Sequence, residues 1–354
     1  MSRSVLRFVA AFACVAGMLA AGPQASAQTS AERKMMKLSS FTSPTHFLTP
    51  IVEQFAADLS AASNGEAEID VFIAEALGKA TEQWDVALEG LADMSLFCAI
   101  YTPSRFPLSM MVELPFFSGS AQVSSQVVSA FLAEGLLGEE FKEARLMSPI
   151  TAAPSQIFAT RPLQKVEDFR GLRITGNGPV WSRTWSILGA QNLSMGWPDI
   201  YLALERGTLD AGTTSWTASV GWKWQEVAES PIDISIMGGF FCGIAMNNDA
   251  WASLTPETQA RWATLADDYA LRFSKAYDDG DVDAKAIWKA AGRTITEFPA
   301  DEKKRLAEAL LPIWQDWVAE NEAAGRPAKR MYQVYVETMK KLGEPVVMQL
   351  PGLY

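Results

Sequence analysis

The chain of 354 residues carries 30 Lys and Arg against 41 Asp and Glu, a net charge of −11, with a single His. That acidic balance argues against nucleic acid and anionic membrane surfaces as partners, and the length exceeds one compact core and suits two lobes. Three cysteines are too few for a disulfide-built scaffold. No Gly-x-x-x-x-Gly-Lys-Ser/Thr loop, dinucleotide fingerprint or internal repeat is present, so no cofactor is expected.

Residues 1–27 read as a secretory signal peptide. Arg3 and Arg7 are its only charges, residues 8–21 are apolar, and Ala25-Ser-Ala27 is a small-residue cleavage site. The apolar stretch is too short for a membrane span, and Cys14 lies inside it rather than at a lipidation position. No later segment has the uninterrupted apolar length of a transmembrane helix. The expected product is periplasmic, cleaved near Ala27, not membrane-embedded and monomeric, with a charge of −13 (28 − 41) once Arg3 and Arg7 are lost.

Met36-Lys-Leu-Ser-Ser-Phe41 is expected as a first strand, ending in the turn-like Thr42-Ser-Pro-Thr45. Residues 47–62 supply an apolar helical face, and Glu68-Ile-Asp-Val-Phe72 alternates like a second strand. A helix over 82–90, a strand Asp93-Met-Ser-Leu-Phe-Cys98 and a helix over 123–141 follow; 147–160 reads as a crossing to the second lobe. The short apolar run 172–175 after Gly171 suits a buried strand. Trp181, Trp185 and Leu188 share one helical face that Gly189 ends. Ile200, Ala203 and Leu204 repeat that spacing, with Pro198 near the helix start and Gly207 at its end, and 210–216 reads as a turn. Phe240-Phe-Cys-Gly-Ile-Ala-Met246 is the returning strand, and Asn247-Asn-Asp starts a helix. From Pro256 onward Trp262, Leu265, Tyr269, Phe273 and Ala276 keep helical spacing, with Gly280 as a place to bend. Residues 303–322 and 331–342 are further amphipathic helices, parted by Gly325-Arg-Pro327. No Gly- or Ser-rich linker intervenes, so crossing strands join the lobes.

Strands alternating with helices define an α/β fold with parallel sheets. Ligands of such sheets sit beyond the carboxyl ends of the strands. In the first lobe those ends converge on 41–46, 72–75 and 98–101; in the second they place Thr175, Gly176, Asn177, Trp197 and 210–216 around one crevice. The candidate ligand-binding residues are Phe41, His46, Tyr101, Gln156, Arg173, Thr175, Asn177, Trp197, Asp210, Thr214, Trp216 and Phe240. Many of the twelve tryptophans, including Trp181, Trp185, Trp262 and Trp314, have the spacing of core residues. Trp197, Trp216 and Tyr101 instead fall at strand ends or turns, where crevice walls belong, with interdomain packing as the alternative.

Enzymology is hard to build from this inventory. A Ser-His-Asp or Cys-His site must use His46, and no Gly-x-Ser-x-Gly elbow exists to pair with it. One His and two distant cysteines lack the spacing of a zinc site, and no carboxylate pair stands in an apolar setting that singles it out. His46 is better read as a helix-start or cleft-wall residue than as a catalyst.

Gly171-Leu-Arg-Ile-Thr175, Gly189-Ala190, Tyr201-Leu-Ala-Leu204, Gly207 and Asp210-Ala211 together resemble the signature of the solute-binding proteins of tripartite ATP-independent periplasmic (TRAP) transporters. Ala76-Leu-Gly78, Gly90-Leu-Ala-Asp93 and Glu113-Leu-Pro-Phe-Phe117 resemble that family's first domain, in the same order. The resemblance implies a two-lobed, type II-like periplasmic binding protein fold, each lobe a sheet flanked by helices, with a long interdomain helix. It places 34–150 and 243–280 in lobe I, and 151–242 and 281–354 in lobe II. It implies capture of a small polar metabolite for TRAP membrane subunits; the alternatives are a binding module for a membrane sensor or a secreted enzyme using His46.

Family members that bind organic acids typically carry Arg where this chain has Thr175, and a guanidinium fork suits a planar carboxylate. Arg173 stands at the family's Lys position; Arg161 and Arg183 are other substitutes, against a plainer reading as surface arginines. A neutral, zwitterionic or cationic ligand therefore stands beside the organic acid as an expectation. The resemblance also sets the returning strand antiparallel beside the third strand, bringing Cys98 near Cys242. Two buried thiols are the plainer expectation there, a disulfide the alternative.

Overall fold

A computed structural model of the protein describes residues 33–353, except Asn177, Gly196 and the side chains of Trp197 and Pro198. The expected leader and its cleavage site lie outside the described residues, as do Asn177 and the Trp197 side chain.

The chain begins with strand β1 (Lys34–Ser39), helix α1 (Thr49–Ala62), strand β2 (Ala67–Phe72), helix α2 (Gln83–Leu88) and strand β3 (Met94–Cys98). α1 buries Val52, Phe55, Ala56 and Leu59, the i, i+3, i+4, i+7 stripe that seats a helix on a sheet. Helix α3 (Ala121–Ala133) starts at Ser120, whose hydroxyl accepts the Val123 amide. The helix expected to reach 141 stops at Ala133, and Gly135 follows with φ of 69°, turning the chain. Leu137 stays in the core, but from an irregular segment.

Strand β4 (Ala144–Thr151) and strand β5 (Ser155–Ala159) carry the chain into a second sheet. There follow strand β6 (Arg173–Ile174), helix α4 (Pro179–Ile187), strand β7 (Gln191–Asn192), helix α5 (Trp197–Glu205), strand β8 (Ala211–Thr214), helix α6 (Trp216–Gly221) and strand β9 (Ser230–Met237). Strand β10 (Phe241–Asn247) returns to the first sheet, leading to helices α7 (Asn248–Ala252) and α8 (Pro256–Ala290), strand β11 (Thr296–Glu297), and helices α9 (Ala300–Ala323) and α10 (Ala328–Leu342). The described strands form sheets ordered β2-β1-β3-β10-β4 and β11-β9-β5-β8-β6-β7. The stretch expected as a turn at 210–216 therefore contains a strand, β8. Its Gly212 lets Trp224 approach, since a Cβ there would lie 2.7 Å from the indole.

β10 pairs antiparallel with β3, with Cys242 opposite Cys98. The neighbourhood is the one expected; the two cysteines are not free thiols but a disulfide. The crossings between sheets are packed tightly. A Cβ on Gly238 would lie 1.7 Å from the Val112 carbonyl oxygen, and one on Gly239 1.8 Å from that of Ala152. Only glycine fits where one crossing lies against the other.

α8, 35 residues and about 52 Å long, serves both sheets. Its first half donates the Trp262 indole N–H to the Leu59 carbonyl and the Tyr269 hydroxyl to Asp58 on α1. Its second half donates the Trp288 indole to Ser219 on α6. Two carboxylates near its middle hold other helices by their amides: Asp278 accepts from Ala121 and Gln122 at the start of α3, Asp281 from Thr217 in α6. One core runs through Phe97 and Ala245 of the first sheet, Ile157 and Ile234 of the second, and Trp314 and Tyr335 of α9 and α10. From Arg33 onward the chain is accordingly one compact unit. Glu113 sits inside this core, 1% exposed, with neither carboxylate oxygen hydrogen-bonded. Burial pushes its pKa up to about 8, only partly offset by the nearby Trp181 indole.

Candidate functional site

The carboxyl ends of β1, β3 and β8 meet at a cavity of about 280 Å³. Phe41, Thr42 and Ser43 leave β1 to form one wall, and His46, Phe47 and Leu48 continue it toward α1. Leu96, Cys98, Ile100 and Tyr101 come from β3 and the turn after it; Ala152 and Ala153 come from one crossing, Phe240 from the other, and Cys242 from β10. Thr214, Ser215, Ala218 and Trp222 bring in β8 and α6, and Tyr277 of α8 completes the lining. Parallel strands concentrate binding groups at this end because their loops and helix starts cluster there.

Aromatic side chains shape the space. Tyr101 meets Phe41 edge-on at 6.4 Å between ring centres, and Tyr277 meets Phe47 edge-on at 4.9 Å. His46 stacks on Phe47 at 4.8 Å. Its Nδ1 accepts the Leu48 amide at 3.2 Å, so the neutral ring carries its proton on Nε2. Burial lowers the His46 pKa, which favours that neutral form. Burial raises both phenols, with the Glu75 charge adding to the effect on Tyr101 and the Asp281 charge to that on Tyr277. The Thr42 hydroxyl is occupied by Ser40 and Thr49. Among the described residues, the Thr214 hydroxyl and both phenols take no hydrogen-bond partner.

Of the residues proposed from sequence, Phe41, His46, Tyr101, Thr214 and Phe240 therefore stand together around the cavity. The rest lie elsewhere or outside the described set. Gln156 accepts the Ile234 and Ser235 amides at 2.8 Å each, filling the register shift between β5 and β9. Thr175 is buried against β8, its hydroxyl taking the Thr213 amide and its carbonyl the Trp185 indole. Arg173 grips Asp210 through Nε at 3.0 Å and a terminal nitrogen at 2.6 Å. That pair holds the Asp210 carboxyl below its ordinary range. Trp216 is 1% exposed and packs edge-on against Phe158 at 5.1 Å, in a core shared with Trp288. Asn177 and the Trp197 side chain are outside the described residues.

Tyr277, Trp222 and the Ala152-Ala153 pair are cavity residues that the sequence reading missed. Tyr277 carried a signal, since it extends the Tyr269–Phe273 apolar stripe of α8 by one more turn. The alanines carried none, because their importance is that they leave room. No group of His, Cys, Asp and Glu suited to a metal ion occurs among the described residues. Likewise, none of the described helices is long and apolar enough to cross a membrane.

A two-sheet α/β protein joined by crossings, with a cavity at the converging strand ends, is the architecture of a receptor for a small solute. The model of the family described as bacterial extracellular solute-binding protein, family 7, matches residues 38–321. The chain belongs to that family, one of substrate-binding receptors. A solute-binding protein of Albidiferax ferrireducens is 22% identical over 293 residues, covering 79% of this chain and 84% of the relative. Among solved structures, a TRAP periplasmic solute-binding protein from Desulfovibrio salexigens superposes with a TM-score of 0.81 at 20% identity, covering 89% of this chain and 99% of that one. A marine-metagenome TRAP solute-binding protein specific for aromatic acids, bound to metahydroxyphenylacetate, gives a TM-score of 0.79 at 22% identity, covering 87% and 99%. These likenesses carry the two-lobed α/β fold expected from the sequence.

Proposed function

We propose that the protein is exported to the periplasm, captures a small organic solute in the cavity described above, and delivers it to the membrane subunits of a TRAP transporter. The observation that carries this reading is the position of the cavity. Its walls come from both sheets, and the β4–β5 crossing, the β9–β10 crossing and α8 all contribute to its lining. A solute touching both sheets at once stabilises the arrangement in which they approach, which is the differential contact that hinge closure needs. Residues 34–150 with 243–280 form one lobe in this reading, and 151–242 with 281–354 the other. Asn177 and Trp197 remain candidate contacts, and Tyr277 and Trp222 join them.

No bond is made or broken. His46 is turned toward the Leu48 amide by Nδ1, an arrangement that supports a wall residue rather than a general base. Replacing His46 with alanine is expected to change solute affinity without abolishing any turnover. The test of the whole reading is to recover the processed protein from the periplasm and capture its membrane partner by cross-linking. A polytopic permease subunit is the expected partner and a new N-terminus after Ala27 the expected start; a sensor histidine kinase as partner would refute delivery for transport.

A further inference from the structure

We propose that this cavity selects an uncharged solute built around an apolar ring, and discriminates against carboxylates. The inference rests on the receptor reading above and names the ligand chemistry of the same cavity. No Lys, Arg, Asp or Glu lines it among the described residues. The positions between 33 and 353 that lie outside the described set, Asn177, Gly196, Trp197 and Pro198, include no cation either.

The arginines that sequence reasoning offered as carboxylate partners are committed elsewhere. Arg173 is held in a two-point grip by Asp210, Arg161 donates to the Asp168 carbonyl, and Arg183 pairs with Asp316. A carboxylate entering the cavity would lose its hydration without gaining a countercharge, which is the costly way to bury an ion. Glu75 and Asp281 stand near enough to two of the lining phenols to push Tyr101 and Tyr277 further up, so these neighbours give an anion no compensation either.

What the cavity offers instead is aromatic surface with a few neutral polar groups. The Tyr101 and Tyr277 hydroxyls, the Thr214 hydroxyl and the His46 imidazole supply hydrogen bonds that an amide, ketone or alcohol satisfies without bringing charge. Apolar rings fill the remainder by contact with walls such as Phe41 and Phe240.

Three probes sharing one ring separate the possibilities at neutral pH: benzamide, benzoate and benzylamine, the last as its ammonium ion. Calorimetry is expected to give benzamide at least about tenfold tighter binding than benzoate, a difference of about 1.4 kcal/mol, and benzylammonium no tighter binding than benzamide. The Ala218→Arg variant, which places a guanidinium in the cavity wall, is expected to reverse the order of benzamide and benzoate. Benzoate binding as tightly as benzamide to the unmodified protein overturns the inference, and so does benzylammonium binding more tightly. Both results leave the receptor reading standing. Binding of none of the probes at millimolar concentration also overturns the inference. In that event, mass spectrometry of small molecules released from protein isolated from the periplasm separates the two claims. A copurified solute preserves the receptor reading, and its absence removes that reading too.

Discussion

Glu113 is the place where a single atom exchange tests the energetics of this core. Its carboxyl is 1% exposed without a hydrogen bond to either oxygen, and its pKa moves from 4.5 to about 8 on folding. A group whose folded pKa exceeds its unfolded one takes up a proton on folding. Its contribution is full below about pH 4.5 and is lost as the pH climbs to about 8. Each unit of pH in that window is worth about 1.4 kcal/mol for one proton, so roughly 3 kcal/mol is lost by pH 7. Glu113→Gln keeps the shape and removes the titration. The amide inherits the same lack of partners as the protonated acid, so the two proteins are expected to match near pH 5. They should diverge toward pH 8, with the variant more stable by about 2–4 kcal/mol at neutral pH. Urea unfolding at steps between about pH 5 and 8 reads this directly from midpoints at constant slope. Parallel pH profiles for the two proteins would falsify the reasoning, because they would mean that the native carboxyl is solvated or paired.

The Cys98–Cys242 bond closes a loop of 144 residues, worth about 5 kcal/mol by loop-closure entropy; the double serine variant is expected to lose a stability of that order in urea titrations, and thiol titration of denatured, unreduced protein lacking residues 1–27, and so Cys14, is expected to find no free thiol. Trp216→Ala is expected to cost about 3–5 kcal/mol of stability, because the indole fills a core with Phe158 and Trp288; near-native stability with weakened benzamide binding would return Trp216 to the cavity wall. Gly239→Ala places a Cβ 1.8 Å from the Ala152 oxygen and is expected to cost at least about 1–3 kcal/mol by overpacking, whereas an unchanged unfolding midpoint would show the crossings to be loosely packed.

The elements most legible in the sequence were those whose local pattern and tertiary role agree. α8 is one, since its buried Trp262, Tyr269 and Phe273 repeat at helical spacing. β10 is another, an apolar strand followed by the Asn247 cap of α7. β8 was hidden because Ala-Gly-Thr-Thr has little intrinsic strand character; it is a strand because β5 pairs with it and Trp224 fills the space over Gly212. β9 went unread although Ile232, Ile234 and Ile236 alternate inward, since Pro231 and interspersed polar residues break the apolar run. Placing site residues from strand ends identified a neighbourhood but not side-chain direction. Arg173 and Thr175 have the right address in the chain, yet one turns to Asp210 and the other into the β6–β8 contact. Neither choice is written in local spacing, because both depend on partners some forty residues away.

The order of strands in the first sheet sets a schedule for the chain's own assembly. β3 and β4 are neighbours of β10 and not of each other, so each presents a bare edge until residues 241–247 have emerged. The whole second sheet except β11 is made in that interval. A chain that appears from its N-terminus onward thus spends most of its emergence with one sheet unfinished. During that time the apolar faces of β1, β2 and β3 have neither the returning strand nor the Trp262 end of α8 to cover them. Bare strand edges of this kind are where chains pair wrongly with one another. The interleaving that lets a single crossing pair link both walls of the cavity therefore postpones completion of its first wall until two-thirds of the protein has appeared.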